Sequence, residues 1–454
     1  MNLFRGIMLT AVVLLSPACA DQVEVPSEPA HPKNVILVLI DTLRADHTAI
    51  HGYPRPTTPI LEQLAEESVV FDRARSQAGC TFPSMNSLLT SRYPFDFYRR
   101  EPGAMGIPVE YPSIAEILKA HGYFTVAVSA SPIVRATPSE HNPSAGFGRG
   151  FDIFDEQCLW REAACVNRRA LEIVEDLQEP FFLYLHYMDP HDFYQPPKTY
   201  QKFAGPYDGF EFIAAGDPNP IGEMLYDDGP KVDFDDHDIN HLVDLYDDEI
   251  LYVDTMLGEL LQSLRGTGAL DDSIFILTSD HGEEFLEHGH VKHCRGVWDT
   301  LTRVPLLIRF PEGWGARLVS APVQLVDLLP TVLDALDLSP GRIEMEGISL
   351  LGPLTGQTPY RDFAFSDQVH YRSVDDGRHH LILDGLRWEY ELFDTASDPL
   401  EQDDLVTTDP GRAMEFEARL KKWLTDTGQW EHFDMTLRAA EQQEDQLRAL
   451  GYLE

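Results

Sequence analysis

Positive charge is scarce in this chain. Its 454 residues carry 35 Lys and Arg against 75 Asp and Glu, a formal net charge of −40 at pH 7. Holding nucleic acid or an anionic membrane by charge requires Lys/Arg patches, so neither is an expected partner. A small anionic ligand stays open, because a few local groups and a metal ion override the mean field. Long apolar runs are missing too. Beyond the N-terminal segment no stretch approaches the roughly 20 apolar residues that a membrane helix needs. Cysteine is limited to five residues, and the chain holds no internal repeat and no low-complexity tract.

What is present begins at the N-terminus. Arg5, the apolar run from Ile7 to Leu15, and Ala18-Cys19-Ala20 follow the plan of a secretory signal over residues 1–20, cleaved before Asp21. A second reading takes Leu15-Ser16-Pro17-Ala18-Cys19 as a degenerate lipobox, which leaves Cys19 lipidated and makes the chain a lipoprotein of a bacterial envelope. Both imply export, periplasmic or secreted, with a membrane touched only through Cys19. Free export is preferred, because the box has its Leu one place early. Residues 21–33 read as a polar, proline-containing tether. An exported compartment permits disulfides. Cys158 and Cys165 are near enough in sequence to close a small loop; with Cys80 and Cys294, three connectivities are open.

Three apolar runs each end in chemistry. Val35 to Ile40 leads to Asp41, Phe181 to Leu185 to His186 and then Asp189-Pro190-His191, and Ile274 to Leu277 to Asp280-His281. Runs apolar at every position suit strands buried on both faces. Shorter strands are expected at 69–71, 124–129 and 304–310, and amphipathic helices at 58–67, 113–121, 168–178, 239–264 and 323–336. That alternation predicts an α/β fold with a doubly wound, mostly parallel sheet across residues 34–355. Functional groups gather at the carboxyl ends of such strands, which brings Asp41, His191, Asp280 and His281 to one edge. Residues 199–238, rich in Gly, Pro, Asp and Phe without a period, read as an irregular insertion over that edge. From residue 356 to 454 the texture changes to a small C-terminal α+β subdomain, with strands at 363–366, 379–383 and 391–393 and helices near 412–427 and 436–450.

Thr81 precedes Pro83 and a breaker-free run to Thr90, so it is expected at a helix N-terminus, where unpaired N–H groups and the dipole favour negative charge. Taken alone, an N-cap explains it equally well. A threonine hydroxyl is a weak nucleophile until a metal or a base activates it. Asp41, Asp280 and His281 can bind one divalent cation, with Thr81 completing the shell.

Several segments together resemble one family. They are Val35–Asp41 with Thr42-Leu43-Arg44-Ala45-Asp46, Thr58-Pro59-Ile60-Leu61, Pro83-Ser84 with Ser87 to Pro94, Asp189-Pro190-His191 and Thr278 to Glu283. Arg303-Val304-Pro305-Leu306 and the tail Glu391 to Asp394 with Asp398 to Glu401 extend the likeness over nearly the whole mature chain. The chain resembles the sulfatase family of the alkaline phosphatase superfamily. The resemblance implies an alkaline phosphatase-like fold, metal ligands at Asp41, Thr81, Asp280 and His281, and substrate-side roles for His191 and His293, which bind the anion and protonate the leaving group. His186 and His288 are second-line candidates. A second metal at Asp189, His191 and His293 is an alternative to the single-ion reading adopted here.

The departures are informative. Thr81 stands at the first place of the family's Cys-x-Pro-x-Arg signature and Met85 where its Arg belongs; Cys80 is one residue out of register. Formylglycine is therefore not expected, and Thr81 resembles the unmodified nucleophile of members that cleave phosphodiesters or phosphonates. Thr42 and His281 replace an Asp and an Asn, which shifts metal preference toward Mn²⁺ or Zn²⁺, with Ca²⁺ a third option. The expectation is an exported, metal-dependent hydrolase or transferase acting on a small-molecule, glycan-linked or lipid-linked anionic phosphoester through a covalent Thr81 intermediate. The alternatives are a sulfuric ester hydrolase with an atypical nucleophile and a non-catalytic binding protein.

Overall fold

The computed structural model describes residues 32–98, 105–139, 141–160, 162–175, 177–209, 234–311 and 314–430. The signal at 1–20 with Cys19, most of the tether, the middle of the insertion and the helix expected near 436–450 lie outside the described residues.

In chain order the main elements are β1 (Asn34–Ile40), α1 (Pro59–Ala65), β2 (Val69–Phe71), α2 (Thr81–Thr90), α3 (Ile114–Ala120), β3 (Phe124–Ser129) and β4 (Ile153–Asp155). There follow α4 (Ala163–Val174), β5 (Phe181–Tyr187), α5 (Asp236–Thr267), β6 (Ser273–Thr278), β7 (Leu306–Arg309), β8 (Arg317–Val319) and α6 (Leu328–Ala335). The C-terminal part holds β9 (Ala364–Gln368), β10 (Tyr371–Asp375), β11 (His379–Asp384), β12 (Glu389–Asp394) and α7 (Pro410–Asp426).

Eight strands form one sheet in the order β8-β2-β7-β6-β1-β5-β3-β4. β1 lies at its centre, parallel to β5 on one side and β6 on the other. Its residues are buried throughout, and alternate side chains feed two separate cores. Val35, Leu37 and Leu39 pack with Met85, Leu88 and Leu89 of α2 and Leu329 and Val332 of α6. Ile36, Val38 and Ile40 pack with Val166 and Ala170 of α4 and Ile250, Val253 and Leu257 of α5. Helices thus cover both faces, as a doubly wound sheet requires, and each fully buried aliphatic side chain contributes about 1.5–3 kcal/mol. The expected fold class stands. Only β7 breaks the parallel order, running antiparallel to both β6 and β2.

Local sequence explains most helix ends. Ser113 and Glu116 close a capping box before α3, Asp235 and Asp238 do the same before α5, and Gly268 ends α5 at φ 77°. Besides the edge strands β4 and β8, where no strand was expected, three elements depart from expectation. α4 begins five residues before Arg168, because Ala163, Val166, Ala170 and Val174 form its buried stripe while the arginines face outward. Residues 323–327 are not helical: Val323–Gln324 pairs with Ala74–Arg75 as a short parallel ladder, and a 3₁₀ turn follows before α6. The third is β10, which sequence reading missed. It completes an antiparallel meander β9-β10-β11-β12, covered by Phe416, Leu420, Trp423 and Leu424 of α7. Among the described residues no helix is long and apolar enough to cross a membrane.

Candidate active site

The three central strands of the sheet end together. Asp41 directly follows β1, Asp280 and His281 follow β6 two residues past its end, and the turn after β5 carries His191. α2 starts at Thr81, with extended Cys80 as its N-cap, so Thr81 is the first helical residue rather than the cap. Asp41, Asp280 and His281 have no exposed surface, and Thr81 is 5% exposed.

Hydrogen bonds fix how these groups face one another. His281 Nδ1–H donates to the Gly282 carbonyl at 2.9 Å, which leaves Nε2 as an acceptor. The Thr81 hydroxyl donates to that Nε2 at 3.1 Å. The same nitrogen lies 3.4 Å from Asp280 Oδ2 and 3.9 Å from Asp41 Oδ1. Both of those carboxylate oxygens are buried without a hydrogen-bond partner. Their sister oxygens are occupied: Asp280 Oδ1 accepts from the His281 amide at 3.0 Å, and Asp41 Oδ2 accepts from His186 Nε2 at 2.9 Å. Two orphaned anionic oxygens, an imidazole lone pair and a hydroxyl therefore converge on one point. That donor set fits a divalent cation, since a buried carboxylate left without a partner is costly.

The electrostatics agree. Burial and the charge of Asp41 push Asp280 above the ordinary carboxylate range. Burial acts on Asp41 in the same direction, but the bond from His186 and the nearby imidazoles hold it at about 2. Burial also lowers His281, which favours the neutral imidazole.

The remaining imidazoles divide clearly. His293 packs its ring 4.5 Å from that of His281 and 5.0 Å from that of His191, and its Nδ1 meets Glu283 Oε1 at 3.0 Å. Burial and the charge of His191 lower His293 to about 4. His191 is opposite: despite burial, its ion pair with Asp192 at 3.0 Å raises it to about 10. Lys292 Nζ binds the other Asp192 oxygen at 2.8 Å. His186 sits behind Asp41 with Nδ1 2.8 Å from the Tyr184 hydroxyl. His288 points elsewhere, bonded to Glu284 at 2.5 Å and stacked on Trp298. Asp189 Oδ2 accepts from the Ala163 amide at 2.8 Å.

Sequence reasoning gave no role to Glu283, Asp192 or Lys292, although Glu283 lay inside a quoted motif and Asp192 beside His191. It also missed a second buried group, Asp299, His380 and Glu401. There Arg75 donates to Asp299 at 2.5 Å and to Asp375 at 2.8 Å, so a guanidinium already neutralises the acids. Two disulfides join Cys80 to Cys294 and Cys158 to Cys165. The first links the residue before Thr81 to the residue after His293.

A family model described as Sulfatase matches residues 33–338. The chain belongs to the sulfatase family. An ulvan-active sulfatase of Formosa agariphila is 26% identical over 473 residues, covering 93% of this chain and 86% of its own. Iduronate 2-sulfatase of Homo sapiens is 27% identical over 409 residues, covering 76% and 72%. Among solved structures, a phosphonate monoester hydrolase of Agrobacterium radiobacter aligns with TM-score 0.72 at 20% identity, covering 87% of this chain and 96% of that one. A 2-O GAG sulfatase aligns with TM-score 0.70 at 18% identity, covering 87% and 93%. This chain is thus a sulfatase-type ester hydrolase on an alkaline phosphatase-like fold.

Proposed function

We propose that this sulfatase-family protein is an exported, metal-dependent hydrolase or transferase that cleaves a phosphoester, a diester or phosphonate-like ester, through a covalent intermediate on Thr81. The observation that carries the reading is the state of residues 80 and 81. The one cysteine near the family's signature, Cys80, is bonded to Cys294 and has no free thiol for conversion to formylglycine. The hydroxyl beside it stands at a helix start, 3.1 Å from His281 Nε2. Phosphonate monoester hydrolases of similar fold support the ester class. Two disulfides support export into an oxidising compartment.

Asp41, Asp280, His281 and Thr81 would hold the cation, with the imidazole favouring Mn²⁺ or Zn²⁺ over Ca²⁺. When bound, such an ion lowers the proton affinity of the Thr81 hydroxyl and offsets charge on the non-bridging ester oxygens. Thr81 Oγ1 releases its proton to solvent and forms a bond to phosphorus in line with the alcohol oxygen, whose bond to phosphorus breaks. The departing oxygen takes a proton from His191, which Asp192 keeps charged. Burial raises Glu283 to about 8, so its carboxyl keeps a proton and donates it to His293 Nδ1, which leaves the Nε2–H of the neutral ring to donate toward a non-bridging oxygen. Water or a second alcohol then takes the group from Thr81.

A second reading, a sulfuric ester hydrolase with an unmodified threonine, is favoured by the curated relatives, which carry sulfatase names. The purified protein, assayed with each metal on aryl phosphodiester, phosphonate monoester and aryl sulfate, separates the two. Thr81→Ala is expected to abolish turnover and leave the thermal melt unchanged; full phosphodiester turnover by that variant would reject the assignment. No bound metal and no turnover would leave a binding protein.

A further inference from the structure

The proton donor of the proposed reaction has a second environment. Besides facing the cluster, His191 lines a cavity of about 620 Å³, within the range of small-molecule sites. The alcohol that His191 protonates must leave next to it, so the cavity walls describe the chemistry of that alcohol. Four carboxylates line it: Glu162, Asp189, Asp192 and Glu249. Among the described lining residues Arg168 is the one arginine or lysine, and Trp160 adds an aromatic wall with its ring 5.6 Å from that of His191.

Glu249 is the telling member. It is 4% exposed, its Oε1 accepts from the Gln195 amide at 2.7 Å, and its Oε2 has no partner. A buried carboxyl one bond short is a cost unless a ligand supplies a donor. Burial and the charge of Asp189 push Glu249 well above the usual carboxylate range, and burial pushes Asp189 up to about 7. These walls offer acceptors, protonated carboxyls and a ring. They offer little to a polyanion: Asp192 is already paired with His191 and Lys292, the exposed Glu162 is a like charge, and the buried carboxyls supply no cation.

We propose that this cavity is the subsite for the alcohol side of the ester, and that it selects alcohols rich in hydrogen-bond donors and free of negative charge, neutral or aminated polyols rather than polyanions. The assignment rests on His191 acting as the proton donor. It sets this chain apart from the 2-O GAG sulfatase of similar fold.

The test uses methyl phosphate diesters of glucose, glucosamine and glucuronate, equal in size and different in charge, beside an aryl phosphodiester. The glucose and glucosamine esters are expected to show kcat/KM at least tenfold above the glucuronate ester. In Glu162→Lys/Glu249→Gln the gap is expected to shrink at least fivefold, through a gain on the glucuronate ester. Should that variant not fold, Glu162→Lys alone, at an exposed position, is expected to shrink it at least twofold. Equal or better turnover of the glucuronate ester by the parent, or a gap the folded variants leave unchanged, overturns the subsite. Turnover of the aryl ester without discrimination among the three sugars overturns the subsite and leaves the reaction standing. No turnover of any of the four overturns both.

Discussion

Asp41 has one oxygen tied and one free, and the tie decides the free one's direction. The Tyr184 hydroxyl has its proton to give, so His186 Nδ1 accepts it and His186 Nε2–H donates to Asp41 Oδ2. Asp41 Oδ1 is then left for the cluster. Partners of this kind behind metal ligands typically carry about 10–100-fold in affinity or activity. His186→Ala is accordingly expected to weaken Mn²⁺ or Zn²⁺ binding about tenfold or more by calorimetry, without loss of the fold. Affinity equal to the parent's would make His186 a packing residue. Asp192 acts on His191 in a comparable way, by charge. A histidine whose pKa is raised keeps its proton to higher pH, so a proton-donor role persists through neutrality and is lost as pH rises through about 10. Asp192→Asn is expected to move the alkaline limb of kcat/KM downward, toward the ordinary histidine value near 6.5. A limb that does not move would remove His191 from the donor role. The convergence of Asp41, Asp280 and His281 was legible because each follows an apolar strand run. Lys292 and Glu283 were not, because their meaning depends on partners the polymer order hides: Asp192 lies 100 positions before Lys292.

The segment holding His293 is the element most in need of support. Lys292 and Cys294, on either side of it, both take left-handed backbone conformations at φ 69° and 74°, unusual for residues with side chains. Three restraints hold it: the Cys80–Cys294 bond, the Cys294 amide donating to the Gly79 carbonyl at 2.7 Å, and the Lys292–Asp192 pair. The bond closes a loop of 214 residues, which in the chain-entropy model is worth roughly 5 kcal/mol. Its position adds something a distant disulfide would lack, since it fixes the start of α2 against the His293 segment. Removing it with Cys80→Ser/Cys294→Ser is expected to lower kcat at least tenfold with KM little changed, and to cost almost nothing further when His293 is already alanine. An equal loss in the His293→Ala background would mean that the bond acts on the fold at large. The pairing was one of three possible connectivities, and what favours it in the sequence is that Cys80 adjoins Thr81 and Cys294 adjoins His293. Element boundaries failed where tertiary partners won over local pattern: Val323 joins a strand because its amide finds the Arg73 carbonyl at 3.1 Å.

At the scale of the molecule, the C-terminal sheet is wired into the catalytic one. Arg75 reaches across to Asp375 of β10 while holding Asp299, and His380 of β11 bonds Glu401 at 2.5 Å beside them. Tyr93 and Val326 of the larger part share the core under α7. β10 escaped sequence reading for the same reason: Arg372 and Asp375 look like surface residues, yet both are buried, Arg372 against Asp367 at 2.9 Å and Asp375 against Arg75. The central strands were readable because they are apolar at every position; in the smaller sheet β9, β11 and β12 were expected and β10 was not, because buried ion pairs mask its pattern. What unites the molecule is that three parallel strands, a helix start and a disulfide-held loop all deliver to the neighbourhood of residue 81. Mass spectrometry of the peptide containing residues 80 and 81, taken from protein quenched during turnover of a phosphodiester, tests this most directly. The expected result is an unmodified threonine in the resting protein and a phosphoryl adduct on Thr81 during turnover, with Cys80 still joined to Cys294; an adduct on another residue, or a formylglycine at position 80, would contradict it.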